Sequence, residues 1–350
     1  MEVPFAHLDA AGQRAFLRRM AESALVQFRL PKGGLRFIHN GENATFAFDA
    51  SSPLRPRLPE PYHPSRLLVR LHRPGRDNAR QIESETAWLA ALRSSGFVVP
   101  EPVPLRDSGL VGRAEFGGHA RCVTVMRWIQ GSRCKMPDAR RLYQTGRLLA
   151  QLHTHSEGWK RPRGFSRMRW TWDQFFGKSQ VMIRPTEELW SLVPKKWSGM
   201  VRRVADDTRD LYPVRVPAGR PFGLVHGDLH SWNTVALRGR VYPIDFDDCG
   251  FAYHLMDVAN VMDQCVAEKG FWELAAAFMK GYREVREFPE EEWRMVGRAM
   301  AARGASNVLW LIDKSLVNAV YRENLDEWLE EDRVALKAAL EVDRALRKGL

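Results

Sequence analysis

The sequence has little of what marks secreted, zinc-stabilised or membrane-spanning proteins. It has only four cysteines, and their scattered positions, without a C-x-x-C spacing, argue against a disulfide framework and a structural zinc site. It has no apolar run of about 18 residues, so an ordinary transmembrane helix is not expected. Residues 1–9 carry acids where an export signal needs positive charge and then an apolar stretch. We therefore expect a cytoplasmic protein with reduced thiols at Cys122, Cys134, Cys249 and Cys265.

Composition and length limit the class of protein. Glycine and proline, with 26 and 20 residues, are too few for a collagen-like or low-complexity chain, and 45% hydrophobic residues are too many for a disordered one. A length of 350 residues predicts two domains or one large unit with two lobes. The net charge of +11 favours an anionic partner, such as a nucleotide, a nucleic acid or an anionic membrane, without choosing among them.

The first part of the chain has the pattern of short strands. Residues 35–38 and 45–48 flank a turn with Asn and Gly, which predicts a hairpin. Residues 51–64 contain five prolines and predict an exposed loop. Residues 67–71 and 122–126 predict strands, and residues 78–94 predict a helix.

Beyond Trp128 the apolar spacing becomes helical. Helices are predicted over 140–153, 255–266, 270–283, 294–312 and 330–347. Residues 234–246 are an exception and predict two short strands around an Arg-Gly-Arg turn, with Pro243 favouring an exposed edge. The pattern predicts an α+β protein of two lobes: a small antiparallel-β N-lobe, 1–127, and a larger helical C-lobe, 128–350.

The residues that indicate chemistry are His-Gly-Asp-Leu-His-Ser-Trp-Asn at 226–233 and Ile-Asp-Phe-Asp-Asp at 244–248. Phosphoryl transfer needs one carboxylate to orient or deprotonate the acceptor hydroxyl and oxygen ligands for the Mg²⁺ on the nucleotide phosphates. Asp228 suits the first role. Asn233 and Asp245, which the hairpin between them brings together, suit the second. A lone His-Gly-Asp could be an ordinary turn, but the combined spacing favours a ligand site.

These motifs resemble those of the aminoglycoside phosphotransferase/choline kinase family. That family of protein-kinase-like enzymes includes homoserine, methylthioribose and fructosamine kinases, and bacterial stress-response Ser/Thr kinases look similar. Residues 148–153 and 255–259 match its characteristic helices before and after the site. The resemblance implies a bilobal protein-kinase-like fold and transfer of the γ-phosphoryl group of ATP, with Mg²⁺, to a hydroxyl of a small molecule such as an amino alcohol, a sugar or an antibiotic.

The same resemblance implies a nucleotide site in the N-lobe. Arg70 stands where the family has a phosphate-binding Lys, and an Arg keeps the charge without being interchangeable with Lys. Its expected partner is Glu85, which lies in the apolar stripe of the predicted helix 78–94 where an unpaired charge is costly; an exposed Glu85 remains the alternative. The G-x-G-x-x-G loop is absent, and the turn at 40–43 stands in its place. The nucleotide-binding prediction therefore includes Asn40, Gly41 and Asn43, and adds Met126 and Trp128, in a stretch that resembles the family's adenine-binding hinge.

Four further residues are expected to support the site rather than touch substrate. His226 is expected to hold the loop by hydrogen bonds to the main chain, and Asp257, inside an apolar helix, is expected to fix the catalytic loop. His230 and Asp247 complete the predicted set.

Residues 160–220 carry most of the net charge, with 14 Lys and Arg against six Asp and Glu. We expect an acceptor-binding insertion there, made of amphipathic helices with basic exposed faces and buried tryptophans. A nucleic-acid surface is the less favoured alternative.

Two other functions stay open: a protein Ser/Thr kinase of the same family, and a nucleotide-binding regulator without catalysis, suggested by Arg70. The sequence leaves the acceptor, the choice between ATP and GTP, and the oligomeric state undetermined.

Overall fold

The computed structural model describes residues 4–133, 138–215 and 219–349. Cys134, one of the expected thiols, lies outside the described residues. The chain divides into two compact units. Unit 1 comprises Met1–Ser132, Pro162–Ser166 and Ser315–Glu323, and unit 2 comprises Arg133–Arg161, Arg167–Lys314 and Asn324–Leu350.

Unit 1 is built on one antiparallel sheet of five strands, in the spatial order β1-β2-β3-β5-β4. The strands are β1 (Gly33–Asn40), β2 (Ala44–Ala50), β3 (Tyr62–Leu71), β4 (Gly112–Phe116) and β5 (His119–Ile129). Its helices are α1 (Ala10–Leu25) and α2 (Ala79–Ser94). The core of this unit is formed by apolar residues of α1 and of the sheet, among them Leu17, Met20, Phe46, Leu67, Val69 and Val123.

Most local predictions for this unit are confirmed. The hairpin forms between β1 and β2, and α2 begins after Asn78, whose side chain accepts a hydrogen bond from the main-chain N–H of Gln81 in a capping box. The prediction of a loop through residue 64 is wrong for 62–64, because β3 begins at Tyr62. Pro64 is tolerated there because the register with β5 shifts between Tyr62 and Leu67.

Two elements of unit 1 were not predicted. Helix α1 is capped by Asp9, and it buries Leu17, Met20, Ala21 and Ala24 at helical spacing. The edge strand β4 carries Arg113 and Glu115 on its exposed side and a single buried alanine, so its apolar signal is weak.

A late segment of the chain completes unit 1. The buried Gln13 of α1 donates to the carbonyl of Val317 at 3.0 Å and accepts from the main-chain N–H of Ala319 at 3.3 Å. Asn318 donates to the carbonyl of Asn40, at the hairpin turn, at 2.8 Å. The turn that was predicted to face phosphate is therefore held from outside the sheet.

Unit 2 is mainly helical. Its helices are α3 (Ala139–Gly158), α4 (Trp172–Phe176), α5 (Thr186–Leu192), α6 (Lys195–Asp207), α7 (His254–Asp263), α8 (Phe271–Arg283), α9 (Glu290–Arg294), α10 (Val296–Ser315) and α11 (Ala319–Arg347), the last two extending into unit 1. Two two-stranded sheets carry the predicted motifs: β6 (Phe222–Val225) with β9 (Gly250–Tyr253), and β7 (Thr234–Leu237) with β8 (Arg240–Pro243). The predicted helices and the predicted hairpin are confirmed, although α11 begins 11 residues earlier than expected. In the part of the chain that the structure describes, no helix has the length and apolar character needed to cross a bilayer.

Helices α3 and α8 touch through glycine. A Cβ on Gly146 would lie closer than 3.0 Å to the main chain of Phe278 and Tyr282, and a Cβ on Gly281 would lie equally close to the main chain of Tyr143. Each glycine thus admits the backbone of the other helix. This close approach places His153 of α3 beside Tyr282 of α8.

Candidate active site

The predicted catalytic loop, residues 226–233, begins where β6 ends. Gly227 has φ +87°, and a Cβ at this position would lie closer than 3.0 Å to the carbonyl oxygen of Asp248. Only glycine fits this conformation and this close approach without strain. The loop therefore turns sharply directly before Asp228.

His226 holds the loop by its ring. Its Nε2 donates to the carbonyl of Ile244 at 3.1 Å, and its Nδ1 accepts from the main-chain N–H of Asp228 at 3.3 Å. Because Ile244 offers only a carbonyl, the proton lies on Nε2. Burial lowers the pKa of His226, so the ring is neutral.

Asp257 of α7 holds the loop by its main chain. Its Oδ2 accepts from the N–H of His226 at 2.8 Å and its Oδ1 from the N–H of Gly227 at 2.7 Å. The side chain is fully buried, and burial raises the pKa of Asp257 to about 6 despite these two hydrogen bonds. His153, with Nδ1 against the hydroxyl of Tyr282 at 2.7 Å, brings Nε2 to 3.2 Å from Asp257 Oδ2.

Both oxygens of Asp228 are engaged. Oδ2 accepts from Nδ2 of Asn233 at 2.8 Å and lies 3.1 Å from Nε2 of His230, while Oδ1 accepts from Nη2 of Arg303 at 2.7 Å. The main-chain N–H of Trp232 donates to Nδ1 of His230, which places the ring proton on Nε2, directed at Asp228. Burial alone would raise the pKa of Asp228, but the electrostatic interactions and hydrogen bonds with His230 and Arg303 outweigh it and hold that pKa well below its usual range.

Asn233 and Asp245 are adjacent across the β7–β8 hairpin, since the N–H of Ile244 donates to the carbonyl of Asn233 at 2.9 Å. Nδ2 of Asn233 is used by Asp228, by its carbonyl at 2.9 Å and by Oδ2, so Oδ1 of Asn233 is the atom suited to a metal. Asp245 has φ 66°, a left-handed conformation uncommon outside glycine and often found at functional sites.

These two residues fit Mg²⁺ better than a metal that needs a complete protein cage. An amide oxygen and a carboxylate are hard ligands, and Mg²⁺ is usually bound by one or two such groups together with waters and substrate phosphates. Within residues 4–133, 138–215 and 219–349, no group of three or more His, Cys, Asp and Glu side chains could hold a metal ion.

The backbone after Asp245 is held by the segment before α4. Arg167 donates from Nε to the carbonyl of Cys249 at 2.6 Å and from Nη2 to the carbonyl of Asp247. The indole of Trp170 donates to the carbonyl of Asp248 at 3.0 Å. Asp247 is buried, in keeping with a supporting position.

In unit 1, Arg70 and Glu85 form a buried ion pair. Nη1 of Arg70 lies 2.7 Å from Oε1 of Glu85, and each side chain is only 1% exposed. The pair joins β3 to α2 inside the unit, so the alternative of an exposed Glu85 is wrong. Contact of Arg70 with phosphate stays a prediction.

The remaining predicted nucleotide residues are already bonded within unit 1. Oδ1 of Asn43 accepts from the main-chain N–H of Arg73 at 3.0 Å, while Gly41 lies at the turn. The main chain of Met126 pairs with β3, and the main chains of its neighbours Val125 and Arg127 bond to residues 103 and 101. The hinge role of Met126 and Trp128 stays a prediction.

A sequence model of the phosphotransferase enzyme family matches residues 57–294, more than half of the chain. The chain belongs to this family. The loop at 226–233, the β7–β8 hairpin and β9 all fall within the matched stretch of the chain.

Individual relatives resemble it more distantly. The homoserine kinase of Rhizobium etli (strain CIAT 652) is 26% identical over 207 residues, which are 57% of this chain and 59% of that relative. The amicoumacin kinase of Bacillus subtilis (strain 168) is 23% identical over 291 residues, 79% of each chain. The chain thus spans about three fifths of the length of the homoserine kinase that it matches.

A solved structure shows the same fold. The structure of the microcompartment-associated aminopropanol kinase matches 95% of this chain and 98% of its own, with a TM-score of 0.73 and 23% sequence identity. The predicted α+β, protein-kinase-like fold is confirmed.

The site also contains residues that the sequence predictions missed, chiefly Arg303 and Asn260. Asn260 donates to the carbonyl of Gly227 at 2.5 Å and accepts from Nη1 of Arg303 at 3.0 Å. Asn260 follows Asp257 by three residues within 255–262, a stretch of α7 that is otherwise apolar, so its position on the same face was an available signal. Arg303 carried a weaker signal, as a cation within the apolar run of α10.

Two acids lie near Arg303. Oδ2 of Asp263 is 3.6 Å from its Nε, and burial raises the pKa of Asp263 to about 6. Asp332 accepts from Nδ2 of Asn307 at 2.7 Å, and burial raises its pKa to about 7, with the charge of Asp263 adding to the rise.

In residues 160–220 the rings are mostly inside and the charges outside. Trp170, Phe175, Phe176 and Trp197 are buried. Arginines cover two less buried rings, with the guanidinium of Arg202 4.7 Å from the ring centre of Trp190 and that of Arg209 3.8 Å from that of Trp172. Rings covered in this way are not free to stack on nucleic-acid bases.

Proposed function

We propose that this phosphotransferase transfers the γ-phosphoryl group of ATP, with Mg²⁺, to a hydroxyl of a small molecule. The observation that carries the proposal is the joint geometry of Asp228 and Asn233. One amide nitrogen fixes the catalytic carboxylate, and the oxygen of the same amide stays suited to a metal. Placing an ionised Asp and these polar groups together between short apolar strands costs free energy, which a turn without a ligand would not offset.

Each residue has a definite task in this proposal. Asp228 accepts a hydrogen bond from the acceptor hydroxyl and orients its oxygen for in-line attack. Asn233 and Asp245 would hold Mg²⁺, which when bound neutralises charge on the phosphates. His226, His230, Asp247 and Asp257 keep the loop in shape.

The N-lobe, 1–127, supplies the nucleotide contacts in this proposal. Arg70 with Glu85 binds phosphate. The N–H groups of the turn at 40–43 also donate to it, apart from that of Gly41, which already donates to the carbonyl of Asn43 at 3.1 Å. Met126 and Trp128 lie along the adenine side. Residues 160–220 of the C-lobe, 128–350, contribute to acceptor binding.

A small-molecule acceptor is favoured over a protein. Two relatives of this chain are a homoserine kinase and an amicoumacin kinase, each named for a small molecule. The assembled loop also favours catalysis over a regulator that only binds nucleotide. We infer that the protein works in the cytoplasm, since ATP, the proposed phosphoryl donor, is supplied there.

The test is transfer of label from γ-³²P-ATP with Mg²⁺ to homoserine, aminopropanol, amicoumacin and a generic protein substrate. We expect phosphorylation of at least one small molecule, falling to a small residual rate in Asp228→Asn while binding of a fluorescent ATP analogue persists. Labelling of the protein alone would replace the small-molecule acceptor with a protein one. Nucleotide binding without transfer to any acceptor would contradict the proposal and favour the regulator.

A further inference from the structure

Arg303 joins three elements of unit 2 around the catalytic carboxylate. From α10, its Nη2 donates to Oδ1 of Asp228 at 2.7 Å and its Nη1 to Oδ1 of Asn260, on α7, at 3.0 Å. Its Nε lies 3.6 Å from Oδ2 of Asp263, near the end of α7. Every nitrogen of the guanidinium thus faces an oxygen of a neighbouring element.

Asn260 closes a ring of hydrogen bonds. It accepts from Arg303 through Oδ1 and donates through Nδ2 to the carbonyl of Gly227, the residue before Asp228. Asn260 is itself only 3% exposed. The same arginine is therefore tied both to the carboxylate of Asp228 and to the main chain that carries it.

The distribution of donors distinguishes the two oxygens of Asp228. A carboxylate oxygen has about two lone-pair positions. On Oδ2 both positions are occupied, by Asn233 and His230. Among the residues that the structure describes, the single donor to Oδ1 is Arg303, so Oδ1 has one position left for the hydroxyl of an acceptor.

We propose that Arg303 is a positioning residue of the phosphotransferase, which directs Oδ1 of Asp228 at the acceptor hydroxyl. Asn260 fixes the orientation of the Arg303 guanidinium by accepting its second hydrogen bond. This inference rests on the proposed function. Arginine suits the task because its planar fork bonds Asp228 and Asn260 at once, which a single lysine ammonium cannot do with the same geometry. Truncating Arg303 frees the carboxylate to turn and leaves the nucleotide residues of unit 1 unchanged.

The test compares Arg303→Met, Arg303→Lys and Asn260→Ala with the wild type, using whichever of aminopropanol, homoserine and amicoumacin the wild type phosphorylates fastest. Arg294→Met is the matched control, since that arginine is 65% exposed and its carboxylate contact is a 3.9 Å pair with Glu290. We expect kcat to fall about 10- to 100-fold in Arg303→Met, because misplacing a reacting group by about 1 Å costs this much. The kcat of Arg303→Lys and of Asn260→Ala should fall by a smaller factor. In all these variants KM for ATP should change less than about twofold.

A double variant separates positioning from a merely structural effect. If Arg303 acts through Asp228, Arg303→Met added to Asp228→Asn causes no further loss of the residual turnover, and binding of a fluorescent ATP analogue stays the same. If Arg303→Met does not fold, Asn260→Ala alone decides, since it breaks the ring without leaving a buried charge.

The outcomes are distinguishable. Wild-type transfer that Arg303→Met and Asn260→Ala leave within about twofold overturns this inference and leaves the proposed function standing. An equal loss from Arg303→Met in the wild-type and Asp228→Asn backgrounds also overturns it. Absence of transfer by the wild type to every acceptor overturns the proposed function, and this inference with it.

Discussion

Asp257 offers a stringent test of how the catalytic loop is held. Its two carboxylate oxygens accept the N–H groups of His226 and Gly227, at 2.8 and 2.7 Å, and its side chain is fully buried. Replacing Asp257 by Ala removes both acceptors, and the methyl group that replaces the carboxylate cannot accept a hydrogen bond. The two N–H groups then remain buried without partners.

The size of the effect follows from those two groups. A buried donor left unsatisfied costs about 1–3 kcal/mol, so two together cost about 2–6 kcal/mol, and we take about 3 kcal/mol as the expected loss of local stability. Because about 1.4 kcal/mol is a factor of ten, this loss makes opening of the loop about a hundredfold more frequent. Asp257→Asn keeps one acceptor and should lose about half as much free energy.

The assay is amide hydrogen exchange, followed by mass spectrometry of a peptide that covers residues 224–233. The control is Asp326→Ala, which removes an exposed aspartate of the same unit. We expect faster exchange in this peptide for Asp257→Ala and wild-type exchange for the control. Acceleration of less than about threefold would refute the claim that Asp257 holds the loop.

Three more predictions concern other parts of the chain. Gly227→Ala should abolish transfer and lower the unfolding temperature, because the new Cβ would collide with the carbonyl of Asp248 at a positive φ; a variant with wild-type turnover would refute this. Arg70→Met should lower the free energy of unfolding in urea by about 3–5 kcal/mol, since it leaves Glu85 charged and buried, and adding Glu85→Gln should restore part of the loss. Asp332 has a pKa raised to about 7, so between about pH 4 and 7 the folded protein binds more protons than the unfolded one. The contribution of this group to stability therefore falls as pH rises through that range. Asp332→Asn should therefore gain stability relative to wild type from pH 5 to 8 in urea titrations, and a difference that does not vary with pH would contradict the assignment.

Local features of the fold could be predicted from the sequence where a single residue determines the local structure. Asn78 predicted the start of α2, and the apolar stripe around Glu85 predicted a buried partner, which the structure places at Arg70. Helix α1 escaped prediction although its apolar spacing is regular. Its face is short and ends in alanines, Ala21 and Ala24, which are weak signals of burial.

The residues of the candidate site were likewise predictable only where they lie close together in the sequence. The spacing of Asp228, Asn233 and Asp245 identified the loop because these residues are joined by a short hairpin. Arg303 reaches Asp228 across 75 residues of sequence. No local pattern encodes which turn of α10 meets the loop, because that depends on how whole helices pack.

Because residues 315–323 belong to unit 1, this unit can be completed only late in the synthesis of the chain. The partner of Gln13 at Val317 lies 304 residues further along the chain. At about 5–20 residues per second, the ribosome needs about 15 to 60 seconds to reach it. Throughout that time α1 and the hairpin turn at Asn40 lack the contacts that residues 315–323 supply. A nascent chain stalled after Ser132 would therefore hold the whole sheet and still be an incomplete unit, recognisable to chaperones and proteases until the last helix has begun to form.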